Sequence, residues 1–105
     1  MTQFEIWKGR PEGVSKDHWF VLISTPRKIA SNAAWINGLI CYTLRGDPKD
    51  EDVRLDYADG FAAATVVPCD FMWALAKGRL SDRIGLVSFE RQIQIKAKVK
   101  QFFRL

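Results

Sequence analysis

Ser88-Phe89-Glu90-Arg91-Gln92-Ile93-Gln94-Ile95-Lys96-Ala97-Lys98-Val99-Lys100 decides the fold of this chain, because two rules divide over it. From Gln92 to Lys100 the apolar Ile93, Ile95, Ala97 and Val99 alternate strictly with Gln92, Gln94, Lys96, Lys98 and Lys100. That is the period-two signature of a half-buried strand. Ser88 followed by Glu90 is the chemistry of a helix start, a hydroxyl for a free backbone N–H and a carboxylate against the positive end of the helix dipole. On a helical wheel Glu90, Arg91, Gln94, Lys98 and Gln101 share one polar side, but Lys96 and Lys100 interrupt the apolar arc. Local pattern alone leans to strand.

The chain upstream of this tail reads as short β segments. Phe71-Met72-Trp73-Ala74-Leu75-Ala76 is an apolar run too short for its period to separate strand from helix, and Lys77-Gly78-Arg79 ends it. The run from Ala62 to Cys69 is β-forming apart from Pro68, with Asp70 at its end. Asp52-Val53-Arg54-Leu55-Asp56-Tyr57 alternates cleanly, which points Val53, Leu55 and Tyr57 inward before the turn Ala58-Asp59-Gly60. The run from Trp35 to Thr43 is a strand in which Gly38 is expected to mark a bulge, and Arg45-Gly46-Asp47-Pro48 closes it. Residues 27–34 are polar and mixed. Trp19-Phe20-Val21-Leu22-Ile23, ended by Ser24-Thr25-Pro26, is a continuous run of β-formers and so a central strand buried on both faces. A charged loop with two glycines and a proline, from Lys8 to Asp17, links it to a short first strand from Gln3 to Trp7. Five short β segments and one possible terminal helix predict a small, mostly antiparallel barrel or half-barrel.

Composition narrows the class. The chain has 105 residues, 48% hydrophobic and 27% charged, which suits one domain spanning 1–105 and argues against disorder or a coiled coil. The longest uncharged stretch, Ile29 to Leu44, is interrupted by Ser31, Asn32 and Asn37 and is shorter than the roughly 20 apolar residues of a membrane helix. Met1-Thr2-Gln3-Phe4-Glu5 opens with neither a basic lead nor an apolar core, so no secretory signal is expected and the protein reads as cytoplasmic. Cys41 and Cys69, with one histidine, are too few for a structural zinc site and read as free buried thiols; no metal or cofactor is expected. The net charge is +4, but residues 47–59 hold six acids and two bases, so the remainder carries +8. Such a polarised surface favours encounter with a polyanion such as RNA, or with an acidic peptide.

Several strings, taken in order, resemble the MazF/PemK toxin family of bacterial RNA-cleaving toxins. They are Phe20-Val21-Leu22-Ile23-Ser24, Leu39-Ile40-Cys41-Tyr42-Thr43, the corner Val67-Pro68-Cys69-Asp70, and Leu86-Val87-Ser88 followed by Ile93 through Lys100. The likeness covers residues 3–105. It implies a mostly β fold, an SH3-like antiparallel barrel (CcdB/MazF-like) closed by a C-terminal helix over the disputed tail. It further implies a homodimer, single-stranded RNA as substrate, and an acidic antitoxin that wraps the RNA groove. Where the family opens its second strand with arginine-proline, this chain has His18-Trp19, and where some members place an arginine before the corner aspartate it has Pro68. Thr43 falls on the family's strand-terminal threonine, and Asp70 on its corner aspartate.

Cleavage of this kind is metal-free and uses the substrate's own 2′-hydroxyl against the adjacent phosphate. It needs a proton acceptor, a proton donor and donors for the extra phosphate charge. His18 is the candidate acid/base, since imidazole is the one side chain whose ordinary pKa lies near neutrality. Thr43 is assigned to the phosphate, and Asp70 to orienting His18 or acting as base. Arg27, Lys28 and Arg45 are the candidates to replace the missing arginine's charge, and Trp19 and Trp35, beside polar loops, to stack on bases. Two other readings share this barrel. One is a non-catalytic inhibitor of a protein target, like the gyrase-poisoning relatives, and the other an RNA-binding relative that has lost activity.

Overall fold

The computed structural model describes residues 1–104. In chain order the elements are β1 (Glu5–Gly9), β2 (His18–Leu22), α1 (Pro26–Ala30), β3 (Trp35–Ile40), β4 (Tyr42–Thr43), β5 (Asp52–Leu55), β6 (Thr65–Pro68), β7 (Trp73–Ala76), β8 (Arg83–Leu86) and α2 (Phe89–Phe103). Five strands form one antiparallel sheet in the order β7-β3-β2-β1-β8, and three form a second in the order β4-β6-β5. β2 is central and its Phe20, Val21 and Leu22 are fully buried, which places apolar side chains on both of its faces.

The two sheets share the chain at Cys41. Its N–H still donates to the Trp19 carbonyl at 2.9 Å, closing the ladder of the larger sheet, while the next residue, Tyr42, already pairs with Val66 in the smaller one. The strand expected from Trp35 to Thr43 is therefore broken into β3 and β4 at a corner. The ladder hydrogen bonds divide into two sheets and do not run round one closed ring. The main core fills the space between them with Phe4, Ile6, Val21, Leu39, Val53, Leu55, Val67 and Ile95, and Cys41 and Cys69 are both free and buried there. Burial pushes both thiols up, Cys69 to about 12.

The tail from Phe89 to Phe103 is a helix. It packs on β5 with Ile95 fully buried and Val99 half-buried, while Ile93, at 53% exposure, looks away. The Ser88 side chain makes no cap bond. Its backbone N–H instead donates to Asp59 Oδ1 at 2.8 Å, and Asp59 Oδ2 accepts from Arg91 Nη1 at 2.5 Å and from the Asp56 N–H at 3.0 Å. A buried carboxylate on the β5–β6 connection thus docks the first turn of the helix.

Two expectations need correction. Tyr57 is 85% exposed, because Asp56 and Asp59 cap each other's backbone in a 3-10 turn that ends the alternation at Leu55. Gly38 marks no bulge: its register runs unbroken to Leu22 and Trp73, and it is flat because the Leu75 side chain lies over it. The register shift sits instead in β1, between Ile6 and Trp7, opposite β8. The polar, mixed residues 27–34, to which the pattern assigns no element, hold all of α1 but its first residue; the helix is started by Pro26 and by the Thr25 hydroxyl accepting the Lys28 N–H at 3.2 Å.

Candidate functional site

Where β2 begins and β4 ends, Asp17, His18, Trp19, Cys41, Tyr42, Thr43 and Arg45 line a cleft of about 460 Å³. Each arrives for a local reason. The loop before β2 turns at Gly13, whose φ of 84° suits glycine, with Val14 N–H donating to the Pro11 carbonyl at 3.1 Å. Its base is tied by Arg10 Nε to Asp17 Oδ1 at 3.1 Å, which sets Asp17 and His18 at the rim. Phe20 pairs with Ile40 across β2 and β3, and this register carried two residues on brings Tyr42 beside His18. Their rings meet edge-on with centroids 6.1 Å apart. Thr43 pairs with Thr65, Leu44 N–H donates to the Ala64 carbonyl at 3.0 Å, and the chain then turns at Gly46 with φ 76°, leaving Arg45 over the cleft.

His18, Thr43, Trp19 and Arg45 therefore share one cleft, although up to 27 positions separate them in sequence. The remaining candidates lie elsewhere. Asp70 is exposed beyond the end of β6 and is not among the residues lining the cleft. Arg27 and Lys28 sit on α1, in the β2–β3 connection at the far end of β2 from His18; a five-residue strand is about 13 Å long. Trp35 is 55% exposed but borders another hollow, with Arg10, Glu12 and Arg79. Trp19 is half-buried against the main core and offers only part of its surface. Sequence reasoning passed over Tyr42 and Asp17, each the immediate neighbour of a residue it singled out. The signal for Tyr42 was available in the family-like string Cys41-Tyr42-Thr43.

The cleft holds an imidazole, a secondary hydroxyl, a phenol and a guanidinium, with one carboxylate already paired to Arg10. Cys41 lines it too, but burial raises its thiol far above the range in which a thiolate nucleophile forms near neutral pH. Among the described residues no group of three or more His, Cys, Asp or Glu side chains is placed to hold a metal ion.

Solved structures of the same shape decide the fold type. An endoribonuclease from Mycobacterial species, in complex with its cognate antitoxin, superposes with a TM-score of 0.86 at 16% identity, covering 100% of this chain and 96% of that one. The Mycobacterium tuberculosis toxin MazF-mt6 does so with a TM-score of 0.82 at 17% identity, covering 96% and 97%. The fold is that of the MazF toxins. The MazE-MazF structure from Deinococcus radiodurans matches with a TM-score of 0.78 at 12% identity over 98% of this chain and 94% of its counterpart. No protein-family model matches the sequence, and no curated protein does. The MazF fold is thus shared with very few identical side chains. Among the described residues no helix is long and apolar enough to cross a membrane.

Proposed function

We propose that this chain is the toxin of a toxin-antitoxin pair and cleaves single-stranded RNA without a metal. The observation that carries the reading is the convergence of His18, Thr43 and Arg45 on one cleft of a MazF fold. His18 takes the proton of a ribose 2′-hydroxyl, and the freed oxygen attacks the adjacent phosphorus while the bond to the 5′-oxygen breaks. The products are a 2′,3′-cyclic phosphate and a 5′-hydroxyl, whose proton comes either from His18, which gives back the one it took, or from the Tyr42 phenol, which is then reprotonated by the His18 imidazolium. Arg45 and the Thr43 hydroxyl donate to the phosphate as its charge grows. Asp70 has no part in this scheme, since it lies outside the cleft of its own protomer.

The toxin reading extends to partners. An acidic antitoxin suits a chain whose residues outside 47–59 carry +8, and two of the structural neighbours are described with an antitoxin or with MazE. We propose a homodimer as its working form.

Purified protein incubated with long single-stranded RNA in excess chelator tests the reading. Products ending in 2′,3′-cyclic phosphate support it. Binding without cutting leaves an RNA-binding relative, and neither binding nor cutting leaves the non-catalytic inhibitor. Relief of growth arrest by co-expressing an acidic reading frame lying immediately upstream supports the antitoxin.

A further inference from the structure

Tyr42 borders three hollows at once. One is the His18 cleft. The second is charged, with Arg45 and Lys49 against Asp47, Glu51 and Asp52. The third, of about 170 Å³, is formed with Ile40, Pro68, Phe71 and Trp73 and has no charged residue in its lining. Phe71 and Trp73 stand edge to face there, ring centroids 5.1 Å apart, and Trp73 is steadied from behind by Phe20 at 6.4 Å. Phe71 is 57% exposed and Tyr42 45%.

We propose that Tyr42, Phe71 and Trp73 are a base-stacking subsite for single-stranded RNA, continuous with the His18 cleft; the proposal rests on reading that cleft as the place where a phosphate sits. A strand held there has two ways on past Tyr42. The charged hollow sets three carboxylates against Arg45 and Lys49, and with Arg45 engaged by the phosphate in the His18 cleft its remaining charge disfavours a second phosphate, whereas the neutral hollow presents exposed aromatic rings on which an unpaired base stacks. A planar base suits a hollow of five residues. A folded partner, which needs roughly 800 Å² of surface on each side for a stable complex, does not. Stacking is tolerant of base identity, so the subsite adds affinity and places the strand without reading its sequence.

Phe71 is the residue to change, because it is exposed and its loss leaves the core intact. The probe is a mixed-sequence single-stranded RNA with 2′-O-methyl groups throughout, which lacks the nucleophile and is not cut, with binding read by fluorescence anisotropy over a salt series. Phe71→Leu weakens binding about ten- to hundred-fold with an unchanged salt slope, as expected for a lost stack and no lost phosphate contact, and Phe71→Tyr restores it. Wild-type affinity in Phe71→Leu overturns the proposal, as does failure of the wild-type protein to bind the probe. A change in sedimentation state in Phe71→Leu overturns it too, by making the hollow a contact between copies. The two readings fail separately. Phe71-dependent binding by a protein that cuts no RNA keeps the subsite and removes the catalysis, and His18-dependent cutting with Phe71-independent binding does the reverse.

Discussion

Replacing Asp59 with asparagine undoes the docking of α2. The Asp59 side chain is wholly buried and accepts three hydrogen bonds, from the Ser88 N–H at 2.8 Å, the Asp56 N–H at 3.0 Å and Arg91 Nη1 at 2.5 Å. Asparagine keeps the shape but has one acceptor oxygen and no charge, so its amide N–H₂ must face at least one of the three donors, Ser88 N–H in one orientation or Asp56 N–H and Arg91 in the other. The charge-assisted bond to Arg91 is lost, about 1.5–3 kcal/mol, and a buried donor is left unpaired, about 1–3 kcal/mol. The sum agrees with the roughly 3–5 kcal/mol cost of removing one partner from a buried ion pair. In a chain of this size that lowers the melting temperature by at least about 12 °C. Asp56→Asn is the control: Asp56 bonds the same guanidinium at 2.8 Å but from a half-buried position open to solvent, where Asp59 is wholly buried, and its loss costs less. Urea unfolding followed by circular dichroism gives both values. An Asp59→Asn variant within about 1 kcal/mol of wild type would refute the account of how the helix is held.

Three further outcomes follow from the same contacts and the core around them. The Arg91 guanidinium holds the Asp56 carboxyl down to about 2, so the folded state gains stability that is present above the ordinary carboxylate range and is lost as pH falls from about 4 toward 2. Urea midpoints across that window fall more steeply for wild type than for Arg91→Gln. A methyl group on Gly85 meets the Asp59 backbone carbonyl, so Gly85→Ala costs several kcal/mol where an exposed glycine such as Gly78 tolerates alanine; thermal melts compare the two. Ile95→Ala removes the one fully buried side chain of α2 and costs about 2–5 kcal/mol by urea unfolding.

The tail shows why local pattern and fold disagreed. A helix lying across a small sheet buries a narrow stripe, here Ile95 and Val99 flanked by Arg91 and Lys98, and leaves Ile93 and Phe89 exposed. Exposed apolar residues among buried ones produced the false period of two, and the resemblance corrected it. The central strand was legible because burial on both faces writes a continuous apolar run, Phe20 to Leu22. β8 was not, since an edge strand of four residues containing Gly85 carries no periodicity. α1 was missed for the same reason of length. At the site, His18 and Thr43 were named from chemistry and resemblance, but nothing in their spacing states that they meet. That depends on the sheet-to-sheet corner at Cys41, a tertiary feature. The same corner turns Tyr42 into the cleft, whereas Asp70, beyond the end of β6, is not among the residues that line it.

The most direct test of the central claim is single-turnover cleavage of one defined RNA by wild type, His18→Ala and Thr43→Ala, with folding matched by circular dichroism. Removal of a positioned acid/base group lowers the rate about 10²–10⁴-fold in His18→Ala, and Thr43→Ala falls between it and wild type. An His18→Ala protein that cuts at the wild-type rate, folded and chelator-treated, would contradict the claim that this cleft performs the chemistry.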